Sequence, residues 1–361
     1  MLAPQVGCGD TASMTGFSSG PSVTTVTPSS TSSGSTGSSS TGSGSESGPG
    51  STSSGSTTST SPEDTTGPKL DMPVPDGGSG PPIGCAGKID FLVAVSANST
   101  MQNQQELLIT SFPDFIDTIK AQLPEFDVHI MSAASHPLWA FKNCADCDDP
   151  MCDPDAGLPF CGVQPEFCDK GKTGASVTFP VGTGASNRRC DLFGGNRFIV
   201  GDEPNMKETF GCIAQVGISG GGSVAEGMVR AIGNEWVDGP NKCNKGFLRD
   251  DALLVVVLIQ DTYDESSEGT VESWIEALRE AKHGDDDAFA VLALTTDVDE
   301  PNCEGVCIPW DCTALNPNRL RQLINGVEHG FIGSICMPFA PFFEKTVAHI
   351  VELCENFVIP Q

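Results

Sequence analysis

Basic residues are scarce in this chain of 361 residues: 19 lysines and arginines stand against 47 aspartates and glutamates, a net charge of −28. Such a surface repels phosphate backbones and anionic lipid headgroups, which excludes nucleic acid as an expected partner. No run of 18 apolar residues occurs, so no membrane-spanning helix is expected. The five histidines form no H-E-x-x-H motif and no ligand-spaced pair, which argues against a zinc hydrolase. No long-period repeat is present.

What the chain has in excess is serine, threonine and glycine near its start. From Ser18 to Ser61 only Val23, Val26 and Glu46 depart from Ser, Thr, Gly and Pro. Such a tract cannot bury enough apolar surface to offset its ordering entropy, so residues 10–82 are expected to be a disordered linker. Its random-coil span is roughly 50 Å. The linker holds six acids and Lys69, leaving −23 of the net charge on residues 83–361. That stretch is long enough for one sizeable core.

Fifteen cysteines are present, fourteen of them after the linker. A dense, even set points to disulfides and an oxidising compartment, with the pairing unreadable from spacing. Zinc is the alternative, but Cys144-x2-Cys147 lacks a matching second pair, and Cys303, Cys307 and Cys312 lack a nearby histidine. Residues 143–190, with six cysteines and many Gly, Pro and Asp, read as a disulfide-rich insertion. The acidic run from Asp146 to Asp155 lacks the spacing and terminal glutamate of an EF-hand and reads as a solvated loop, with Ca²⁺ as the alternative.

The odd cysteine, Cys8, lies in Gln5-Val6-Gly7-Cys8-Gly9. This resembles the end of a bacterial lipoprotein signal, where a small residue precedes the cysteine that receives lipid. The apolar segment such a signal needs is missing before Cys8. Residues 1–9 are therefore read as a signal remnant, with the true start upstream of Met1. The implied location is the bacterial cell envelope, outer membrane or cell surface, with the membrane engaged by the lipid alone.

Continuous apolar runs predict buried strands at Ile89–Val95, Asp127–Met131, Arg197–Val200, Ala252–Ile259, Ala288–Leu294 and Phe331–Cys336. Helical periodicity predicts Gln102–Gln122, Val224–Ile232, Val271–Lys282, Pro317–Val327 and Pro341–Asn356, with Pro113 a possible break in the first. The alternation predicts an α/β fold: a doubly wound, mostly parallel sheet flanked by helices. Ligands of such sheets bind at the C-terminal ends of the strands. There Ser96, Asn98 and Thr100 alternate in a short loop of oxygen-bearing side chains, which also suit turn and cap roles.

The strand ending at Val95 and the loop Ser96-x-Asn98-x-Thr100 resemble the first metal loop of von Willebrand factor A (VWA) domains, whose pattern is Asp-x-Ser-x-Ser. Val216-Gly217-Ile218-Ser219-Gly220 resembles the second loop, where the family supplies a threonine. Gln260-Asp261 matches the third, with Asp264 following as in acid-rich, cysteine-rich bacterial members. The resemblance covers most of residues 85–357. It implies a non-catalytic binding or adhesion role toward an extracellular or envelope protein. It also implies a Mg²⁺ or Ca²⁺ site built from Ser96, Asn98, Thr100, Ser219 and Asp261. Serine replaces the family's first aspartate and Ile218 stands at the threonine position. Since Mg²⁺ normally demands one or two carboxylates, the metal site is expected to be weak or lost.

Two other readings stand beside this one. Gly217-Ile218-Ser219-Gly220-Gly221 matches the G-x-S-x-G elbow of serine hydrolases, with Asp261 or Asp297 and His329 in suitable chain order. Against it, residues 211–216 read as the end of a helix and His329 precedes a buried strand. The last reading is an inert envelope scaffold whose contacts lie on the insertion.

Overall fold

Runs of aliphatic and β-branched residues build one six-stranded sheet. The computed structural model describes residues 84–123, 125–137, 139, 165–170, 173–296 and 318–358. Expectations for Cys8, the linker 10–82, the acidic run 146–155 and Asp297 lie outside these residues.

The strands are β1 (Lys88–Val95), β2 (Asp127–Ala134), β3 (Ile199–Val200), β4 (Leu253–Ile259), β5 (Phe289–Thr295) and β6 (Gly330–Ser334). Their order is β3-β2-β1-β4-β5-β6. All neighbours pair in parallel except β3, which runs antiparallel to β2. Every residue of β4 and β5 is buried, as continuous hydrophobicity requires of strands covered on both faces.

The helices are α1 (Gln102–Gln122), α2 (Met206–Ala214), α3 (Val224–Ile232), α4 (Asn234–Val237), α5 (Val271–Ala281), α6 (Arg319–Gly326) and α7 (Ala340–Asn356). Side chains alternate across each strand, and the core divides accordingly. Phe91, Val93, Val255, Val257 and Leu292 pack with residues of α1, α2 and α7. Leu92, Ala94, Leu254, Val256 and Val291 pack with residues of α3, α5 and α6 on the other face. The first face holds an aromatic cluster in which Phe112 stacks on Phe210 at 4.4 Å and Phe115 on Phe343 at 4.8 Å. α1 continues through Pro113, which is buried within it.

All seven cysteines among the described residues are disulfide-bonded. Cys85–Cys354 joins the entry to β1 with the end of α7. Cys168–Cys243 and Cys190–Cys212 tie the described part of the insertion to the body of the domain. No described helix is long and apolar enough to cross a membrane.

Candidate functional site at the strand C-terminal edge

β1 and β4 are adjacent and parallel, with Val95 opposite Ile259. The residues that follow them, Ser96 and Gln260-Asp261, therefore leave the sheet side by side. The backbone fixes this corner: Ser96 N donates to Ile259 O at 2.9 Å and Gln260 N to Leu294 O at 3.1 Å. A third loop comes in from the segment before α3. Ala97 N donates to Gly221 O at 3.2 Å, and Gly220 N to Ala97 O at 2.9 Å.

Gln105, buried on α1, locks these loops together. Its amide nitrogen donates to Ser96 O at 3.1 Å and Gly217 O at 2.8 Å, while its oxygen accepts from Gly217 N at 3.1 Å. Gly222 is where the loops come closest. A Cβ there would stand 2.7 Å from Ser96 Oγ and 2.9 Å from Asn98 Nδ2, so any larger residue would have to push these side chains out of the corner.

Asp261 occupies the centre of the corner at 1% exposure. Neither of its carboxylate oxygens has a hydrogen-bond partner among the described residues. Burial pushes its carboxyl above the usual aspartate range. The Thr100 hydroxyl, its own backbone and the Asn98 amide face it and offset part of that rise, without closing hydrogen bonds of normal geometry. A buried, unpaired carboxylate is costly. It is relieved by a proton or by a cation, and oxygen donors beside it suit a hard cation. The chemistry of the corner thus fits the Mg²⁺ or Ca²⁺ class, with one carboxylate as the sole anionic donor.

The expected site residues divide as follows. Thr100 and Asn98 stand at the Asp261 carboxyl, and Asn98 also donates to Thr262 Oγ1 at 2.9 Å. Ser96 is fully buried, and its Oγ accepts from Asn98 N at 3.3 Å, a turn role. Ser219 faces another segment: its Oγ accepts from Thr183 N at 3.0 Å. Gly222, rather than Ser219, is packed against Ser96 and Asn98. Gln105 and Gly222 were not anticipated; the triplet Gly220-Gly221-Gly222 was the available signal of a close approach.

Asp264 behaves differently from Asp261. Its oxygens accept from Ala225 N, Ser267 N and Ser267 Oγ at 2.9, 3.1 and 2.8 Å. It holds the start of α3 and has no oxygen left unpaired. At the opposite edge Asp90, pushed up to about 7 by burial against the pull of Arg249, accepts from Arg249 N and Nε at 2.8 Å each. This pair braces the bottom of the sheet.

A serine-hydrolase triad is not assembled from Ser219, Asp261 and His329. His329 immediately precedes β6, and its carbonyl accepts from Val291 N near the start of β5. Asp261 follows the far end of β4. At about 3.3 Å per residue along parallel strands, the two stand on the order of 20 Å apart.

These elements define an α/β protein with a mixed, mostly parallel sheet and a polar corner between β1 and β4. No protein-family model and no curated protein matches the chain. Among solved structures it is similar to proximal thread matrix protein 1 from the mussel byssus, at 13% identity and a TM-score of 0.34, covering 76% of this chain and 47% of that one. A second crystal form of the same protein gives 8% identity and a TM-score of 0.34, covering 75% and 49%. This chain spans about half the length of that protein.

Proposed function

We propose that residues 83–361 form a non-catalytic, VWA-like binding domain whose ligand docks on the corner between β1 and β4, assisted by a weakly held divalent cation. The observation that carries this reading is Asp261, buried with both carboxylate oxygens unpaired and flanked by Thr100 and Asn98. Thr100 and Asp261 would be the principal cation donors, with Asn98 beside them. A single carboxylate makes the ion weak on its own, since Mg²⁺ loses water reluctantly. A carboxylate from a protein partner would complete the coordination, coupling ion and ligand binding. The strand order, with one short antiparallel edge strand beyond β2, is compatible with this family resemblance.

Calorimetric titration with Mg²⁺ and Mn²⁺ tests the site. Binding in the millimolar range by the wild type, absent in Asp261→Asn, is expected. Equal heats from both proteins, or none from either, would remove the cation from the account. Failure of a fluorophosphonate probe to label Ser219 is expected as well.

We further propose that a lipid on Cys8 and the linker 10–82 present this domain outside a bacterial membrane, toward an extracellular or envelope protein. The disulfides among the described cysteines support an oxidising location. Metabolic labelling with a fatty-acid analogue, lost on Cys8→Ser, is the expected result for the natural gene in its own host. Unchanged labelling would remove the anchor.

A further inference from the structure

The opposite, N-terminal edge of the sheet carries a second cluster of ligating side chains that the binding corner does not use. Asp287 lies in the short turn Asp286–Ala288 that leads into β5, and Glu328 and His329 precede β6. One ligand atom from each of these three residues falls within 4.8 Å of the others. His329 Nε2 stands 2.8 Å from Asp287 Oδ1. We propose that Asp287, Glu328 and His329 bind a zinc-class divalent transition ion, with His349 as a positioning residue.

The donor set is one imidazole nitrogen and two carboxylates, a combination that suits zinc and leaves a fourth place for water. A ligating histidine needs its other ring nitrogen held by a neighbour, which fixes the tautomer. His329 has such a neighbour, since its Nδ1 lies 3.5 Å from His349 Nε2. His349 Nδ1 in turn lies 3.9 Å from Glu352 Oε2, beyond hydrogen-bond distance, so the contact that orients the ligand is the imidazole pair itself. The His349 ring is held between His329, with centroids 5.5 Å apart, and Phe331 at 4.9 Å.

The backbone keeps these residues in place. Asp287 N donates to Asp285 Oδ1 at 3.0 Å, and Val291 N to His329 O at 2.9 Å. Gly330 must be glycine, because a Cβ there would lie 2.1 Å from Ile324 O. The His329 side chain is 13% exposed and that of Asp287 69%, so the ring is fixed while the ion's path stays open.

The test is zinc titration of the full chain under non-reducing conditions, comparing wild type with His329→Gln, Asp287→Asn and Asp261→Asn. Zinc taken up elsewhere is common to the wild type and to the His329 and Asp287 variants and cancels in the difference, while Asp261→Asn reports any uptake at the other edge. One ion fewer in His329→Gln, and affinity at least about tenfold weaker in Asp287→Asn, are expected, with this ion retained in Asp261→Asn whether or not a second ion is lost from the other edge. If His329→Gln fails to fold by circular dichroism, Asp287→Asn and Glu328→Gln, both exposed, carry the comparison. For His349→Gln, about ten- to hundredfold weaker binding is expected, together with an altered visible spectrum of bound Co²⁺. Unchanged stoichiometry and affinity in the His329, Asp287 and Glu328 variants would leave an aspartate–histidine pair only and overturn the proposal. Loss of the ion in Asp261→Asn alone would place zinc at the other edge and also overturn it.

Discussion

Replacing Asp261 with asparagine separates the two ways in which a buried carboxylate can be tolerated. Without a cation, the charged group is out of water, with neither oxygen partnered. Asparagine keeps the shape and removes the charge, so in chelator at neutral pH the variant should match the wild type or exceed its unfolding free energy by up to about 2 kcal/mol. The pH dependence has a definite sign. Burial raises the folded-state Asp261 carboxyl above its unfolded value, so the folded state binds the proton more tightly. Stability is then fully present below about pH 4, the unfolded aspartate value, and declines as pH rises through the raised folded value. Asparagine lacks this decline, so the variant's advantage should grow on going from pH 4 to pH 7. With about 10 mM Mg²⁺ and a dissociation constant of about 1 mM, the wild type should gain about 1.4 kcal/mol and the variant nothing. Urea titrations at both pH values, with chelator and with Mg²⁺, read all of this. A variant destabilised by more than about 1 kcal/mol in chelator, or an equal Mg²⁺ gain in both proteins, would refute the reasoning.

Three further perturbations probe the framework. Gly222→Ala would drive a methyl group into Ser96 Oγ and Asn98 Nδ2; it should lower stability by about 1–3 kcal/mol and abolish the Mg²⁺ gain, both seen in the same urea series. Phe112→Ala empties the middle of the aromatic cluster on α1 and should cost about 3–5 kcal/mol, measured by chemical unfolding. Removing the Cys85–Cys354 link by a double serine substitution frees β1 from α7 across 269 residues; a loss of about 2–5 kcal/mol is expected, and a loss below 1 kcal/mol would show that the link matters little.

The sheet was legible because its central strands are buried on both faces and therefore write unbroken apolar runs. β1, β4 and β5 match the expected spans to within a residue or two, and α3 matches end to end. The edges were harder. β3 shrinks to two residues and runs antiparallel to β2, and an apolar run alone does not encode strand direction. α2 was glimpsed only at its end, since Gly211 and Cys212 dilute a nine-residue pattern.

The corner was legible where chemistry sits in strand-end loops, as at Asn98, Thr100 and Asp261. It was obscured where geometry depends on a missing side chain, as at Gly222, or on a buried amide reaching across from a helix, as at Gln105. Cysteine pairing was unreadable for a similar reason: Cys168 and Cys190 meet partners in later segments of the body. The histidine cluster escaped entirely. Its members come from three separate segments, the turn before β5, the turn before β6 and α7, so no spacing rule brings them together.

The most direct measurement is an anomalous difference map from crystals grown with Mn²⁺. A peak in ligand contact with the Asp261 carboxylate and the Thr100 hydroxyl, absent from crystals of Asp261→Asn, is the predicted result. A well-ordered Asp261 carboxylate with no peak beside it, at millimolar Mn²⁺, would contradict the claim that this corner is built around a cation.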